Sequence, residues 1–190
     1  MNIQKLTLIF CLFFSSQLAF AIPSEAEFAL LPPLCKARYA SDKDPSNQEW
    51  LKRLGSNFIH LHHYCSGLLK VNLADKQSDK NEKMSGYTSA LGEFNYVIRS
   101  VSPDFKLLPR IIYELGQTYE KMGNTPEAMR AYQRCISINP RLPIPYAALS
   151  DLFLKQNNKK EALLMLEQGL KFRPNSKSLL KRMDKLNKGK

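Results

Sequence analysis

Apolar side chains in the second half of the chain recur with two periods at once. Within a segment they fall three or four residues apart, as Ile112, Leu115 and Tyr119 do, and then Ala128, Tyr132 and Cys135. That spacing predicts amphipathic helices that each bury one face. Across segments the whole set returns 34 residues later. Pro109, Ile112, Leu115, Gly116, Tyr119, Ala128, Tyr132, Cys135 and Pro140 are answered by Pro143, Tyr146, Leu149, Ser150, Phe153, Ala162, Leu166, Gly169 and Pro174. The turn repeats too, Gly123-Asn124 as Asn157-Asn158, with Glu127 as Glu161. A 34-residue period belongs to a stacked helix–turn–helix unit. Small residues at 116, 128 and 135 let two helices approach, and the rings fill the space beside them.

Local signals place the boundaries. Thr125-Pro126 is expected to cap a helix and open its first turn. Pro109 and Pro143 sit where the first helix of each unit begins, and Pro140 and Pro174 stop the second. The filled positions resemble the tetratricopeptide repeat (TPR), with copies at 109–142 and 143–176. The departures are Ile112 for the usual Trp, Cys135 for a small Ala, and Ser150 and Gly169 in the second copy. The resemblance implies an all-α, short TPR-like α-solenoid of antiparallel helix pairs.

The first half is a divergent head, residues 22–105. Trp50, Leu54, Gly55 and Phe58 resemble the start of another copy, with Ser46 and Glu49 expected as a capping box before it. Ala90, Phe94 and Val97, spaced nearly as Ala128, Tyr132 and Cys135, predict the matching helix at 84–101. Between them lies an insertion, expected as a first helix prolonged to Val71 and a mobile polar loop at 75–83. The head, with His60-Leu61-His62-His63-Tyr64-Cys65, is similar over roughly residues 32–105 to those of exported bacterial TPR proteins. Residues 106–176 hold the two repeats. Residues 176–190 form a basic capping helix striped by Leu179, Leu180, Met183 and Leu186, since a solenoid needs a last helix with a polar outer face. The expected total is about seven helices.

Composition fixes compartment more than chemistry. Among 190 residues, 28 Lys and Arg face 17 Asp and Glu, for a formal charge of +11, and 44% are apolar. Disorder is excluded. Residues 1–21 predict a signal peptide: Lys5 in a short positive start, an apolar run from Leu6 to Phe14, and Ala19 and Ala21 before the cut. The run is too short to span a bilayer, which takes about 20 apolar residues. Phe10 is too bulky for lipidation at Cys11. The mature chain is expected to be exported, periplasmic or secreted, with no stable membrane insertion. It then carries Cys35, Cys65 and Cys135 in an oxidising compartment. Cys35 with Cys65 is the expected disulfide, two free thiols being the alternative. Cys135 is expected as a small core residue.

No phosphate-binding loop, nucleophile elbow, paired-cysteine or zincin motif is present, so no enzyme and no cofactor are expected. His60 and His63 are the candidate metal ligands. On one continuous helix they would share a face with Tyr64 and Arg53, and His62 would border the opposite, apolar face of Leu54, Phe58, Leu61, Cys65 and Leu68. No Asp or Glu lies within ten residues of His60 to orient a ligand. Residues 155–190 hold 11 Lys and Arg against 3 Asp and Glu. Export makes nucleic acid an unfit partner for that tail. The resemblance implies a noncatalytic scaffold that binds a protein or peptide on a concave surface, with a metal- or haem-binding protein built on His60 and His63 as the alternative. The implied lining is Arg110, Tyr113, Gln117, Glu120 and Lys121, then Ile144, Ala147, Asp151, Leu154 and Lys155. Tyr113 and Gln117 stand where a chaperone-tail carboxylate clamp would carry Lys and Asn, so that clamp is not expected.

Overall fold

Helix ends in the repeats are set by asparagine. The Asn124 side chain accepts from the Glu127 amide at 3.4 Å, and Asn158 does the same with Glu161 at 3.2 Å. Thr125 is therefore the first helical residue and not the cap, which lies one position earlier. Just before each cap the chain enters the left-handed region, at Gly123 (φ 75°) and Asn157 (φ 58°). Asn is the residue besides Gly that tolerates this conformation most readily.

The structure, a computed structural model, describes residues 24–188. The expected signal peptide lies outside them. In chain order the elements are α1 (Glu25–Phe28), α2 (Pro33–Tyr39), α3 (Pro45–Leu54), a 3₁₀ segment (Gly55–His60), α4 (Leu61–Lys76), α5 (Lys80–Ser100), α6 (Leu108–Lys121), α7 (Thr125–Ile138), α8 (Pro143–Lys155), α9 (Lys159–Phe172) and α10 (Lys177–Lys188). The described residues form no strand, and no helix among them is long and apolar enough to cross a membrane. Successive helices pack as pairs, α4 on α5, α6 on α7 and α8 on α9, with α10 against α8 and α9. This is an all-α, TPR-like solenoid.

Each pair closes around a small residue. A Cβ added to Gly116 would stand 2.6 Å from the Tyr132 ring, and one on Gly169 would stand 2.9 Å from the Tyr146 ring. Tyr132, Phe94, Leu149 and Leu166 are fully buried. Each such side chain contributes roughly 1.5–3 kcal/mol by leaving water. Cys135 is buried beside them, and its thiol donates to the Pro109 carbonyl at 3.1 Å. Burial pushes that thiol up to about 12, so it is not a nucleophile at neutral pH.

The head departs from the sequence expectation at several points. First, there is no helix from Trp50 to Val71. Gly55 takes φ +65°, which favours glycine, and ends α3. A 3₁₀ segment follows, and α4 starts afresh at Leu61. Second, the counterpart of Gly116 is Gly67. A Cβ on Gly67 would come within 2.6 Å of the Phe94 ring, the same contact as Gly116 with Tyr132. The repeat-like pair is thus α4 with α5. Third, the segment 75–83 is not a loop. Asp75 and Lys76 finish α4, Lys80 to Lys83 open α5, and only residues 77–79 connect them, as only 122–124 connect α6 to α7. The insertion lengthens the two helices and leaves their turn short.

That extension has its own contacts. Asp79 caps α5 by accepting from the Glu82 amide at 2.8 Å. Ala74 is buried against Gly86, where a Cβ would stand 2.7 Å away. The Tyr87 hydroxyl donates to Asp75 at 2.6 Å, and Lys121 of α6 reaches the same carboxylate at 2.8 Å. Three further helices, α1 to α3, cover the head and raise the described total to ten. The expected Ser46–Glu49 box does not form. Asp44 caps α3 through Ser46, and Glu49 turns instead to Arg53, 3.4 Å away.

Candidate functional site

The first helices of the two repeats, α6 and α8, face the same side, and α10 closes the far end. Between them lies a groove of about 370 Å³ lined by Tyr113, Gln117, Glu120, Tyr132, Ile144, Ala147, Ala148, Asp151, Ser178 and Arg182. Six of the ten side chains expected there come together: Tyr113, Gln117, Glu120, Ile144, Ala147 and Asp151. Arg110, Lys121, Leu154 and Lys155 lie outside its walls. Sequence reasoning missed Tyr132, Ala148, Ser178 and Arg182. Arg182 was legible in principle, because it stands three residues after Leu179 on the inward stripe of α10, where Leu179 is buried and Met183 and Leu186 are partly buried. Leu180, placed on that stripe from its spacing, is 42% exposed.

The groove's apolar floor is Tyr113 beside Ile144 and Ala147. Tyr113 packs its ring on Tyr132 at 5.4 Å, with the Arg110 guanidinium over it at 5.6 Å. Burial pushes the Tyr113 hydroxyl up to about 12. Its polar rim is internally paired. Arg182 clamps Asp151 in a bidentate pair, Nε to Oδ1 at 3.0 Å and Nη2 to Oδ2 at 2.8 Å. Glu120 accepts from Lys155 at 2.6 Å and from the Tyr132 hydroxyl at 3.0 Å. Arg110 pairs with Glu114 at 2.6 Å, and Lys121 with Asp75. The basic side chains of this face therefore each meet a carboxylate.

A second site lies in the head, where α2 meets α4. Cys35 and Cys65 form a disulfide there, as expected, and tie the two helices together. Beside it is a cavity of about 510 Å³ lined by Arg38, Tyr39, Ala40, His62, His63, Ser66 and Glu93. His63 Nδ1 lies 2.5 Å from Glu93 Oε2. Ser66 and Lys70 both donate to Glu93 Oε1. Burial raises the Glu93 carboxyl, yet hydrogen bonds from Lys70 and His63 outweigh it and hold the group below its ordinary value. His62 Nδ1 lies 2.7 Å from the Ile59 carbonyl, and burial lowers that imidazole from its ordinary value.

Of the side chains that one helical face would gather, His60 and His63 stay together against Tyr96, and Arg53 and Tyr64 do not join them. The break at 55–60 separates Arg53, which lies over the Trp50 ring at 4.4 Å, from the rest. Tyr64 is buried in the core at 3% exposure and shapes no surface. His60 and His63 both contact Tyr96, with ring centroids 5.9 and 3.9 Å from it, and His62 stacks on His63 at 4.0 Å. The carboxylate that no nearby residue could supply arrives from α5 as Glu93. Among the described residues, no group of three or more His, Cys, Asp or Glu side chains converges as a metal site.

The tetratricopeptide repeat profile matches residues 109–142, the α6–α7 pair. The Hsp70-Hsp90 organizing protein of Triticum aestivum is 26% identical over 111 residues, which are 57% of this chain and 18% of that protein. The chain thus spans less than a fifth of that relative's length. A tetratricopeptide repeat occupies α6 and α7, and α8 and α9 repeat its helix boundaries at an offset of 34 residues, with α8 starting one residue later.

Proposed function

We propose that this protein is an exported, noncatalytic adaptor that holds a segment of a partner protein in the groove of α6, α8 and α10. The observation that carries the reading is the apolar floor of Tyr113, Ile144 and Ala147 inside a groove built by a tetratricopeptide repeat and its successor. The matched relative is named for organizing two other proteins, which fits a scaffold. Export to the periplasm or beyond is supported by the pattern of residues 1–21, and a disulfide in the head suits an oxidising compartment. Because the rim charges are already paired, the partner segment should present apolar side chains to the floor and hydrogen-bonding groups to Gln117 and Ser178. An acidic segment, which Arg110, Lys121 and Lys155 suggest in the bare sequence, would have to displace existing carboxylates.

The test begins with the exported protein itself, whose first residue should be Ile22 by mass spectrometry. Partners captured from its native compartment by the wild type are then compared with those captured by Tyr113→Ala and Ile144→Ser. Ile144 is 36% exposed, so its replacement leaves folding intact. Both changes should weaken the same partner by more than about 1 kcal/mol, the usual mark of an anchor. Full binding by both variants would reject the groove as the site.

A further inference from the structure

The cavity beside the disulfide is built in a way that packing alone does not require. The Ile59 carbonyl can only accept, so His62 carries its proton on Nδ1 and leaves the Nε2 lone pair open. Glu93 is an ionised acceptor, so His63 Nδ1 is also protonated against it. Two adjacent imidazoles are thus pinned from behind, and neither Nε2 has a partner among the described residues. A carboxylate or carbonyl fixing one ring nitrogen so that the other serves a ligand is the usual arrangement around functional histidines.

The end of α2 supplies the reverse chemistry beside them. Arg38 spends Nε and Nη2 on the Ile59 carbonyl, at 3.4 and 3.2 Å, which leaves three of its five N–H groups uncommitted. It has no carboxylate partner among the described residues. Glu93, the lining's one carboxylate, already accepts from Lys70, Ser66 and His63, so it cannot neutralise Arg38 as well. Tyr39 adds a hydroxyl with no hydrogen-bond partner among the described residues. Counting Lys70 behind Glu93, the site carries a surplus of positive charge. That surplus repels a bare cation and attracts an anion. At about 510 Å³ the cavity has the size of a small-molecule site and not of a single ion.

We propose that this cavity binds a small organic acid whose anionic group lies on Arg38 and Tyr39 and whose neighbouring hydroxyl or amine donates to an open Nε2 of the His62–His63 pair. Hydroxy acids and amino acids are the chemical class that carries both functions within one small frame. The site is separate from the groove and does not depend on the adaptor reading. The disulfide belongs to it, because Cys35–Cys65 ties α2, which carries Arg38 and Tyr39, to α4, which carries His62 and His63.

The experiment titrates the oxidised, mature protein with citrate, lactate, glutamate, acetate and inorganic phosphate, and separately with Zn²⁺ and Cu²⁺. The readout is the imidazole resonances of His62 and His63 by NMR, together with calorimetry. At least one hydroxy or amino acid should saturate and shift both imidazoles, and acetate, which lacks the second donor, should bind it more weakly. Tyr39→Phe and Arg38→Gln should each lower that affinity, Arg38→Gln by roughly tenfold or more, as loss of a charge-assisted hydrogen bond does. Tyr39→Phe keeps the ring and its edge contact with Phe28, so it tests the hydroxyl alone. The proposal is overturned if no organic acid shifts the imidazoles, if both variants bind unchanged, or if only the metal ions perturb His62 and His63. Equal binding of phosphate and acetate with no preference for a second donor would also overturn it, as simple charge attraction.

Discussion

Ser150 shows how one atom marks the difference between two otherwise equivalent repeats. It stands where the first repeat has Gly116, and its hydroxyl is buried with no hydrogen-bond partner among the described residues. A buried donor without a partner carries its full desolvation penalty, whereas an apolar group of similar size carries none. Ser150→Ala should therefore raise stability by about 1 kcal/mol, read as a higher denaturation midpoint at unchanged slope. An equal or lower midpoint would mean that the hydroxyl has a partner in solution. At this scale the sequence pointed to the position, as a departure from the repeat pattern. It could not show the missing partner, which depends on what the neighbouring helix offers.

Among the elements, legibility followed periodicity. The helices α6 to α9 were readable because the second pair repeats the apolar positions of the first, 34 residues on. The head was not, because two glycines competed for one role. Gly55 has the better flanking match, with Trp50, Leu54 and Phe58 around it, but it takes a positive φ and ends a helix. Gly67 has weak flanks and does the packing. The extension at Asp75 to Lys83 looked like a loop because its residues are polar on nearly every side. It is helical because of a cap at Asp79, one small-residue crossing and one tyrosine, features too sparse to produce a period. The histidine cavity was half legible: the histidines stand together in sequence, while Glu93 and Arg38 come from other helices. The packing role of Gly67 has a signed test. Gly67→Ala pushes a methyl into the fully buried Phe94 ring and should cost about 1–3 kcal/mol, as overpacking does. Gly92 lies on the open side of the same hairpin, where a Cβ meets nothing within 4 Å. Gly92→Ala should stabilise by about 0.5–1 kcal/mol through helix propensity alone. Equal effects of the two changes in thermal melts would refute the assignment of Gly67 as the counterpart of Gly116.

Over the whole molecule, charge divides into paired and unpaired sets, and the division separates two roles. Arg110, Lys121, Lys155 and Arg182 around the groove each hold a carboxylate. The lysines on the outer side of α10, Lys177, Lys181, Lys185 and Lys188, pair with none among the described residues. Unpaired surface charge acts at a distance and is screened by salt, so it governs encounter more than holding. Neutralising Lys177, Lys181 and Lys185 to Gln should therefore slow association with the groove's partner by up to roughly tenfold at low salt. The salt dependence should flatten, and the dissociation rate should stay unchanged. Arg182 must be kept out of that set although it shares the helix. It lines the groove and clamps Asp151, so Arg182→Gln should speed dissociation and leave the salt slope nearly as it was. Surface plasmon resonance at two salt concentrations distinguishes the two variants. If the lysine variant abolishes binding while Tyr113→Ala has no effect, the partner sits on the basic end of the solenoid and the groove is not the site.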